Sequence, residues 1–208
     1  ETIKNNNLIF LLNKENKTAD LNGNDSNSDV IFIPRSIIFE NQEYFITAIH
    51  ENAFKNSTTI KTIQFPNDSE LRVIEKEAFA YSSIERITIP FHVTQISERA
   101  FTQCKKLKHV DIHLNSELRS IGKRAFFFTS IESINIPIQV TEINELSFAC
   151  CKFLKHIEFH PNSNLQTINR AGFSASAIES ISIPSKVIKL RKGWCVALPK
   201  LKRITVKN

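Results

Sequence analysis

Methionine is absent from this 208-residue sequence, and only four glycines and one tryptophan occur in it. Because glycine is so scarce, the chain lacks the glycine-rich loops that cradle phosphate groups, and a nucleotide-binding enzyme is not expected. No apolar run approaches the ~20 residues needed to cross a bilayer, so membrane insertion is not expected either. Position 1 is not methionine and no leader-like apolar run opens the chain. We interpret the sequence as a mature or engineered fragment whose missing targeting signals carry no information on location.

What the sequence does contain is a repeated apolar motif. A phenylalanine, usually preceded by a small residue, recurs at steps of 25, 22, 25, 22, 25 and 22 residues, with a cysteine in the last place. These marker positions are Phe54, Phe79, Phe101, Phe126, Phe148, Phe173 and Cys195. A fixed period between about 20 and 30 residues is typical of solenoids of leucine-rich-repeat type. The alternating step indicates a double repeat of 47 residues.

Each marker is followed by three apolar residues at relative positions 1, 4 and 6, such as Ile84, Ile87 and Ile89. The last two alternate with polar residues and are mostly β-branched, which predicts one short strand in each coil. A second apolar pair, such as Val93 and Ile96, precedes the next marker. We predict an α/β solenoid of leucine-rich-repeat type with alternating 25- and 22-residue coils. It would have one stacked strand ladder and an irregular or short-helical convex side.

The first 45 residues carry no repeat and are predicted to form an N-terminal β-rich cap. Residues 8–12 and 30–34 predict strands around a polar loop at 22–29, and residues 37–46 contain a hairpin signal. The solenoid is assigned to residues 46–208, with a basic, degenerate last coil from about residue 185. Residues 184–208 contain eight Lys or Arg and no acid, whereas the rest of the chain has 19 bases and 21 acids.

The four cysteines do not suggest disulfides. Cys104 and Cys151 occupy the same position in coils that lie two apart, and Cys150 and Cys195 are also in coils two apart. Strands stack at ~4.8 Å, so these pairs would be separated by roughly 9–10 Å, whereas a disulfide needs Cα atoms within about 7 Å. We interpret Cys104 and Cys151 as small buried packing residues, and the cysteines do not identify a redox compartment.

The repeated pattern Ile-x-x-x-Ala-Phe-x-x-Cys/Ser-x-Leu-x-x-Ile-x-Ile-Pro resembles the BspA-like leucine-rich repeats, also called the Treponema pallidum type. The resemblance covers about residues 46–206 and weakens in the last coil, where Trp194 and Cys195 replace Ala-Phe. It implies a cell-surface or secreted protein of a host-associated microbe. It also implies a role in adhesion to matrix proteins or to other cells.

The solvent face of the strand ladder is the natural binding surface of a solenoid. One column of this face alternates in charge (Lys61, Glu85, Lys108, Glu132, Lys155, Glu179, Lys202) and is interpreted as a register-setting ladder. Two neighbouring columns are polar, carry no large aromatic side chain, and form the candidate binding face for a protein or glycan on a host cell or matrix. Its residues are Thr62, Gln64, Arg86, Thr88, His109, Asp111, Ser133, Asn135, His156, Glu158, Ser180, Ser182, Arg203 and Thr205.

The segments His109-x-Asp111-x-His113 and His156-x-Glu158-x-His160 each place three ligand-type side chains on one face of a strand. The two sets lie two strands apart and cannot share one ion, so no metal site is predicted. No arrangement suited to nucleophilic or acid–base catalysis accompanies them. Neither an enzyme nor a cofactor is therefore predicted.

Two alternative functions stay open. Repeats of this type need no oxidising environment, so the chain could be an intracellular scaffold for protein interactions. The basic C-terminal end could also bind a polyanion such as a glycosaminoglycan, through Lys189, Arg191, Lys192, Lys202 and Arg203. Nucleic acid is not expected as the partner.

Overall fold

A computed structural model describes residues 1–206, and every regular element in that range is a β-strand. No helix that could cross a membrane is found in this part of the chain. The N-terminal strands are β1 Thr2–Asn5, β2 Leu8–Asn13, β3 Thr18–Asn24, β4 Val30–Phe32, β5 Ser36–Phe39 and β6 Gln42–Ile49. Thereafter each coil adds two strands, except the last: β7 Thr62–Gln64, β8 Val73–Ile74, β9 Arg86–Thr88, β10 Gln95–Ile96, β11 His109–Asp111, β12 Ser120–Ile121, β13 Ser133–Ile136, β14 Glu142–Ile143, β15 His156–Phe159, β16 Thr167–Ile168, β17 Ser180–Ile183, β18 Lys189–Leu190 and β19 Arg203–Val206.

The first strand of each coil contributes to a parallel ladder along one side of the solenoid. Strands β4, β7, β9 and β11 pair in that order, β13 pairs with β15, and β17 pairs with β19. From β7 to β17 the apolar residues, such as Ile87 in β9, are buried or half-buried while their neighbours face solvent, whereas Ile204 and Val206 in β19 are exposed. The predicted strands and the solenoid of leucine-rich-repeat type are confirmed.

A second parallel ladder runs along the solenoid, and the prediction of a single strand ladder is therefore wrong. Strands β6, β8, β10 and β12 form one part of it, and β14, β16 and β18 form the other. Up to β16, each two-residue strand buries the second residue of the coil's second apolar pair, for example Ile96 in β10. A strand this short cannot display the period-two alternation from which strands are inferred.

Both ladders are interrupted between the same two coils, and asparagine side chains bridge the interruption. The side-chain amide of Asn135 donates a hydrogen bond to the Ile112 carbonyl at 3.2 Å. The side-chain amide of Asn144 donates to the Ile121 carbonyl at 2.8 Å. Side-chain amides thus connect β13 and β14 to the preceding coil where regular strand pairing is absent.

The convex side is irregular, and the short-helical alternative is not found in residues 1–206. In each coil the residues two before and two after the marker have positive φ, as for Glu77 (55°) and Tyr81 (62°) around Phe79. This left-handed conformation interrupts a right-handed helix. The turns instead bond to the next coil, since the Phe79 N–H donates to the Ala100 carbonyl at 2.8 Å.

The marker phenylalanines form one continuous stack in the core. All six are buried, neighbouring ring centroids lie between 5.0 and 5.5 Å apart, and the ring planes are within 14° of parallel. Cys195 occupies the seventh marker position, because Gly193 (φ 75°) and Ala197 (φ 55°) flank it with the same left-handed pair. The last coil therefore keeps the turn geometry of the others although it lacks the phenylalanine.

The N-terminal segment extends the second ladder. Strands β1, β2 and β3 are antiparallel neighbours, and β3 pairs in parallel with β6. The predicted hairpin is present as β5 and β6, while β3 occupies the beginning of the predicted polar loop. Strand β6 continues past residue 45 and pairs with β8. The assignment of residues 1–45 to a separate cap stays a prediction.

The cysteines are all free thiols. Cys104 and Cys151 are fully buried, as predicted, and their sulfurs donate to the carbonyls of Phe79 at 2.9 Å and Phe126 at 3.1 Å. Burial raises the pKa of each of these two thiols to about 12. Cys150 and Cys195 are only half-buried.

We expect native-state thiol titration to separate these two classes. At pH 8 a disulfide reagent should modify Cys150 within minutes and Cys195 more slowly, since burial raises the pKa of the Cys195 thiol. Cys104 and Cys151 should stay unmodified because they are buried and remain in the thiol form. All four should react at once in denaturant. Peptide mapping of the modified protein assigns the sites, and fast modification of Cys104 in the folded chain would contradict the described packing.

Candidate functional site

The predicted binding face is exposed along the first ladder. Its fourteen residues lie in pairs on β7, β9, β11, β13, β15, β17 and β19, and all are solvent-exposed or half-buried. Register aligns Thr62, Arg86 and His109 in one column, and Thr88 with Asp111 in the other. The residues therefore belong to one face, and their role in binding stays a prediction.

The N-terminal part of this face forms a groove. A cavity of about 980 Å³ lies over β7, β9, β11 and the start of β13, and over the turns that follow the first three strands. Its size is at the upper end of ordinary ligand sites. Six residues of the predicted face line it: Thr62, Gln64, Arg86, Thr88, Asp111 and Asn135. The other eight do not: His109, Ser133, His156, Glu158, Ser180, Ser182, Arg203 and Thr205.

The groove also contains aromatic side chains, which the sequence analysis did not place on this face. Phe32 extends the polar column at the edge, since it pairs in register with Gln64, and it is 56% exposed. Phe91 comes from the turn after β9 and is 45% exposed. These residues were missed because Phe32 precedes the first repeat and Phe91 lies outside the strand columns. An exposed aromatic directly after the strand-ending Pro90 was the available signal.

The aromatic wall is held in place by the next coil. The Phe91 ring lies 5.9 Å from the His113 ring, and the Phe91 carbonyl accepts a hydrogen bond from the Glu117 N–H at 3.0 Å. The Glu117 carboxylate in turn contacts Arg72 at 3.3 Å and His92 at 3.1 Å. A backbone hydrogen bond and the adjacent contacts of Glu117 therefore hold the turn that carries Phe91 in place, so the groove is largely preformed.

Within residues 1–206, the alternating charge column of the strand face forms ion pairs only at its two ends. Lys202 contacts Glu179 at 3.1 Å, and this hydrogen bond lowers the pKa of the exposed Glu179 carboxyl. Lys61 contacts Asp29, also at 3.1 Å, which extends the alternation by one residue towards the N-terminus. Within residues 1–206, the other members of the column lie beyond ion-pair distance of one another. Ion pairs in so exposed a column contribute little to stability, because solvent screens them.

In each of the two histidine segments, the last histidine accepts a hydrogen bond in the turn that follows the strand. His113 Nδ1 accepts a hydrogen bond from the Asn115 N–H at 3.2 Å, and His160 Nδ1 accepts one from the Asn162 N–H at 3.0 Å. In the part of the chain that the structure describes, no three His, Cys, Asp or Glu side chains come together to hold a metal.

The residues suggested for polyanion binding are divided among different sides of the last coil. Lys189 lies in β18 of the second ladder, and Arg191 and Lys192 lie in the turn that follows it. Lys202 and Arg203 are at the first ladder, where Lys202 is already paired with Glu179. The five residues are thus divided between the two ladders and the turn after β18, and their role in polyanion binding stays a prediction.

The repeats match a known family profile over most of the chain. Six copies of the BspA type leucine-rich repeat region align with residues 34–113 and 72–194. The chain belongs to the BspA-type leucine-rich repeat family. The membership confirms the resemblance seen in the sequence, and this family and fold are consistent with a protein-interaction module. BspA-type solenoids are typically binding proteins rather than enzymes. No protein of curated function is detectably similar to the chain.

Solved structures of other leucine-rich repeat proteins share the BspA-type fold. A leucine-rich repeat protein of T. pallidum has a TM-score of 0.73 at 16% identity, covering 92% of this chain and 84% of that one. A leucine-rich repeat protein from Bacteroides ovatus has a TM-score of 0.69 at 18% identity, covering 99% and 76%. A leucine-rich cell surface protein from Faecalibacterium prausnitzii has a TM-score of 0.50 at 19% identity, covering 99% and 76%. At these identities the likeness establishes the fold.

Proposed function

We propose that this BspA-type chain is a recognition and adhesion module that binds a protein or glycan of a host cell or matrix in the strand-face groove. The observation that carries the proposal is the combination of exposed aromatic carbon and polar groups in one preformed concavity. Phe32 and Phe91 offer apolar surface, while Arg86 and Asp111 lie on the strands between them. Aromatic and Arg side chains contribute most of the binding energy in protein interfaces.

The rigidity of the groove supports binding at modest entropic cost. Its floor consists of β7, β9 and β11, which are paired strand to strand. Its wall at Phe91 is bonded to the next coil through Glu117. A partner that docks here orders few protein side chains, and ordering costs are a main reason why contact area fails to give affinity.

We also propose that the chain acts outside the cell and without catalysis. The F. prausnitzii protein of the same fold is a leucine-rich cell surface protein, which supports a surface location for this chain. Among the residues that line the groove, Arg86, Asp111 and His113 are the ionisable ones. Nδ1 of His113 already accepts the Asn115 N–H, and this small set suits recognition better than proton transfer.

A binding assay on immobilised extracellular-matrix extract tests the groove. We expect Arg86→Glu or Phe91→Ala to weaken binding about tenfold or more, because each removes a central contact of the groove. Arg203→Glu is the matched control: Arg203 lies in the same column as Arg86 and is likewise exposed, but it lies outside the groove. Binding should change less than about twofold in that variant.

Two results would contradict the proposal. Equal loss of binding in Arg86→Glu and Arg203→Glu would show that overall charge matters rather than the groove. Binding of the wild-type chain to cytosolic proteins, with none to matrix or intact host cells, would favour the intracellular scaffold instead.

A further inference from the structure

A second column of alternating charge runs along the convex side, three residues before each marker. Its members are Glu51, Lys76, Glu98, Lys123, Glu145, Arg170 and Lys192. Lys76 lies 3.9 Å from Glu51, and Lys123 lies 2.9 Å from Glu145. Opposite charges on neighbouring coils therefore form ion pairs at two steps of the column within residues 1–206. The alternation fails at its last step, where Arg170 is followed by Lys192.

This last step leaves two cations on adjacent coils without a carboxylate of their own. Glu145 is the nearest acid in the column, and the hydrogen bond from Lys123 lowers its pKa, with a smaller contribution from Arg170. Within residues 1–206 neither Arg170 nor Lys192 has a carboxylate oxygen within 4.0 Å. Like charges placed side by side repel each other, so the pair is favoured by an anion between them.

The backbone also departs from the repeat at this place. In earlier coils, the residue that follows a member of the charge column donates its backbone N–H to the carbonyl of the column member in the next coil. For example, the Arg124 N–H donates to the Glu145 carbonyl at 3.1 Å. Ala171 instead donates to the Gly193 carbonyl, also at 3.1 Å, and Ser174 Oγ donates to the same carbonyl. A cavity of about 600 Å³ opens beside these groups, lined by Arg170, Ala171, Ser174, Lys192, Gly193 and Val196.

We infer that this convex cavity binds a sulfate group of a sulfated polysaccharide. Arg170 presents a planar fork of donors that suits an oxyanion, and Lys192 adds a second positive charge. The small side chains of Ala171 and Ser174, together with Gly193, leave room for a compact group. Arg191 lies next to Lys192, and residues 184–208 carry no acid that would repel the rest of an anionic chain.

The lining favours a glycan over nucleic acid. Single-stranded nucleic acids are held by aromatic side chains on which bases stack, and none lines this cavity. Trp194, the aromatic residue next to Gly193, is partly buried and packed against the core. The site lies on the convex side, away from the strand-face groove, so it is a separate function from the one proposed above.

Lys192→Glu tests the inference, because it restores the alternation of charge while removing the site. We expect the affinity for heparin to fall at least about tenfold, with thermal stability unchanged or increased. Lys106→Glu is the matched control: it makes the same change in net charge on an exposed lysine that has no ion pair in the described residues. Affinity for heparin should change less than about threefold in that variant.

The remaining comparisons use calorimetry on the full chain. Desulfated heparin should bind at least about tenfold more weakly than heparin, since the sulfate is the recognised group. Equal loss of heparin affinity in the two variants, or no loss in Lys192→Glu, would overturn the inference. So would equal or tighter binding of wild-type chain to phosphatidylserine vesicles or to single-stranded DNA at the same salt concentration.

Discussion

Replacing Phe101 with alanine is expected to lower the free energy of unfolding by about 3–5 kcal/mol, the usual range for a buried phenylalanine. The ring is fully buried between Phe79 at 5.0 Å and Phe126 at 5.2 Å, with both ring planes within 3° of its own. In a repeat protein stability comes largely from interfaces between neighbouring units. Because Phe101 contributes to two such interfaces, its loss weakens the stack on both sides.

Urea denaturation followed by circular dichroism measures this effect. Phe153→Ala provides the matched control, since that side chain is 55% exposed and its removal should change stability by only about 0.5 kcal/mol. A loss below about 1 kcal/mol for Phe101→Ala would mean that the phenylalanine stack does not hold the coils together.

Gly122→Ala is expected to be the other severely destabilising change, with a loss of about 3 kcal/mol, at the upper end of ordinary overpacking. A Cβ atom at this position would lie 2.6 Å from the Glu98 nitrogen and from the Ser97 carbonyl carbon. These are backbone atoms of the preceding coil, which is held in place by hydrogen bonds such as that from the Ser97 N–H to the Ile74 carbonyl at 2.8 Å. Neither coil can move aside without breaking the second ladder.

Gly172→Ala isolates the cause, because the chemical change is the same and the surroundings differ. A Cβ atom there would meet the Ile143 and Ile168 methyl groups at 3.0 and 3.3 Å. These distances are longer than those at Gly122 and involve side chains rather than backbone, so small shifts of the two isoleucines relieve the contact and the expected loss is about 1 kcal/mol. Neither glycine has a left-handed φ, so the comparison measures close approach alone. Equal denaturation midpoints for the two variants would contradict the described contact at Gly122.

The features marked by the same type of residue at the same repeat position could be predicted from the sequence, because repetition identifies them independently of any one residue. The buried marker phenylalanines, the strands of the first ladder and the buried Cys104 and Cys151 are of this kind. The left-handed turn positions escaped prediction for the opposite reason. They hold residues as different as Glu77, Leu146 and Ala171, all with φ between 55° and 59°, so no residue preference marks them.

The groove could be predicted only in part. Its strand residues, such as Arg86 and Asp111, follow from the alternation of side chains along a strand. Its aromatic wall depends on how a particular turn folds over the face, and Phe91 belongs to a turn that does not repeat in sequence. The convex cavity was hidden because its two cations become neighbours only when the coils stack. Arg170 and Lys192 are 22 positions apart in the chain.

The two columns of alternating charge restrict how an array of this design can grow or shrink. Loss of a single internal coil of 22 or 25 residues ahead of residue 160 would bring two basic residues side by side in one column and two glutamates side by side in the other. Loss or duplication of 47 residues in that part of the chain leaves the alternation of both columns unchanged. The electrostatics of the two columns therefore favour the gain or loss of coils in pairs. Genetic exchange between such arrays preserves their structure when whole pairs of coils are copied.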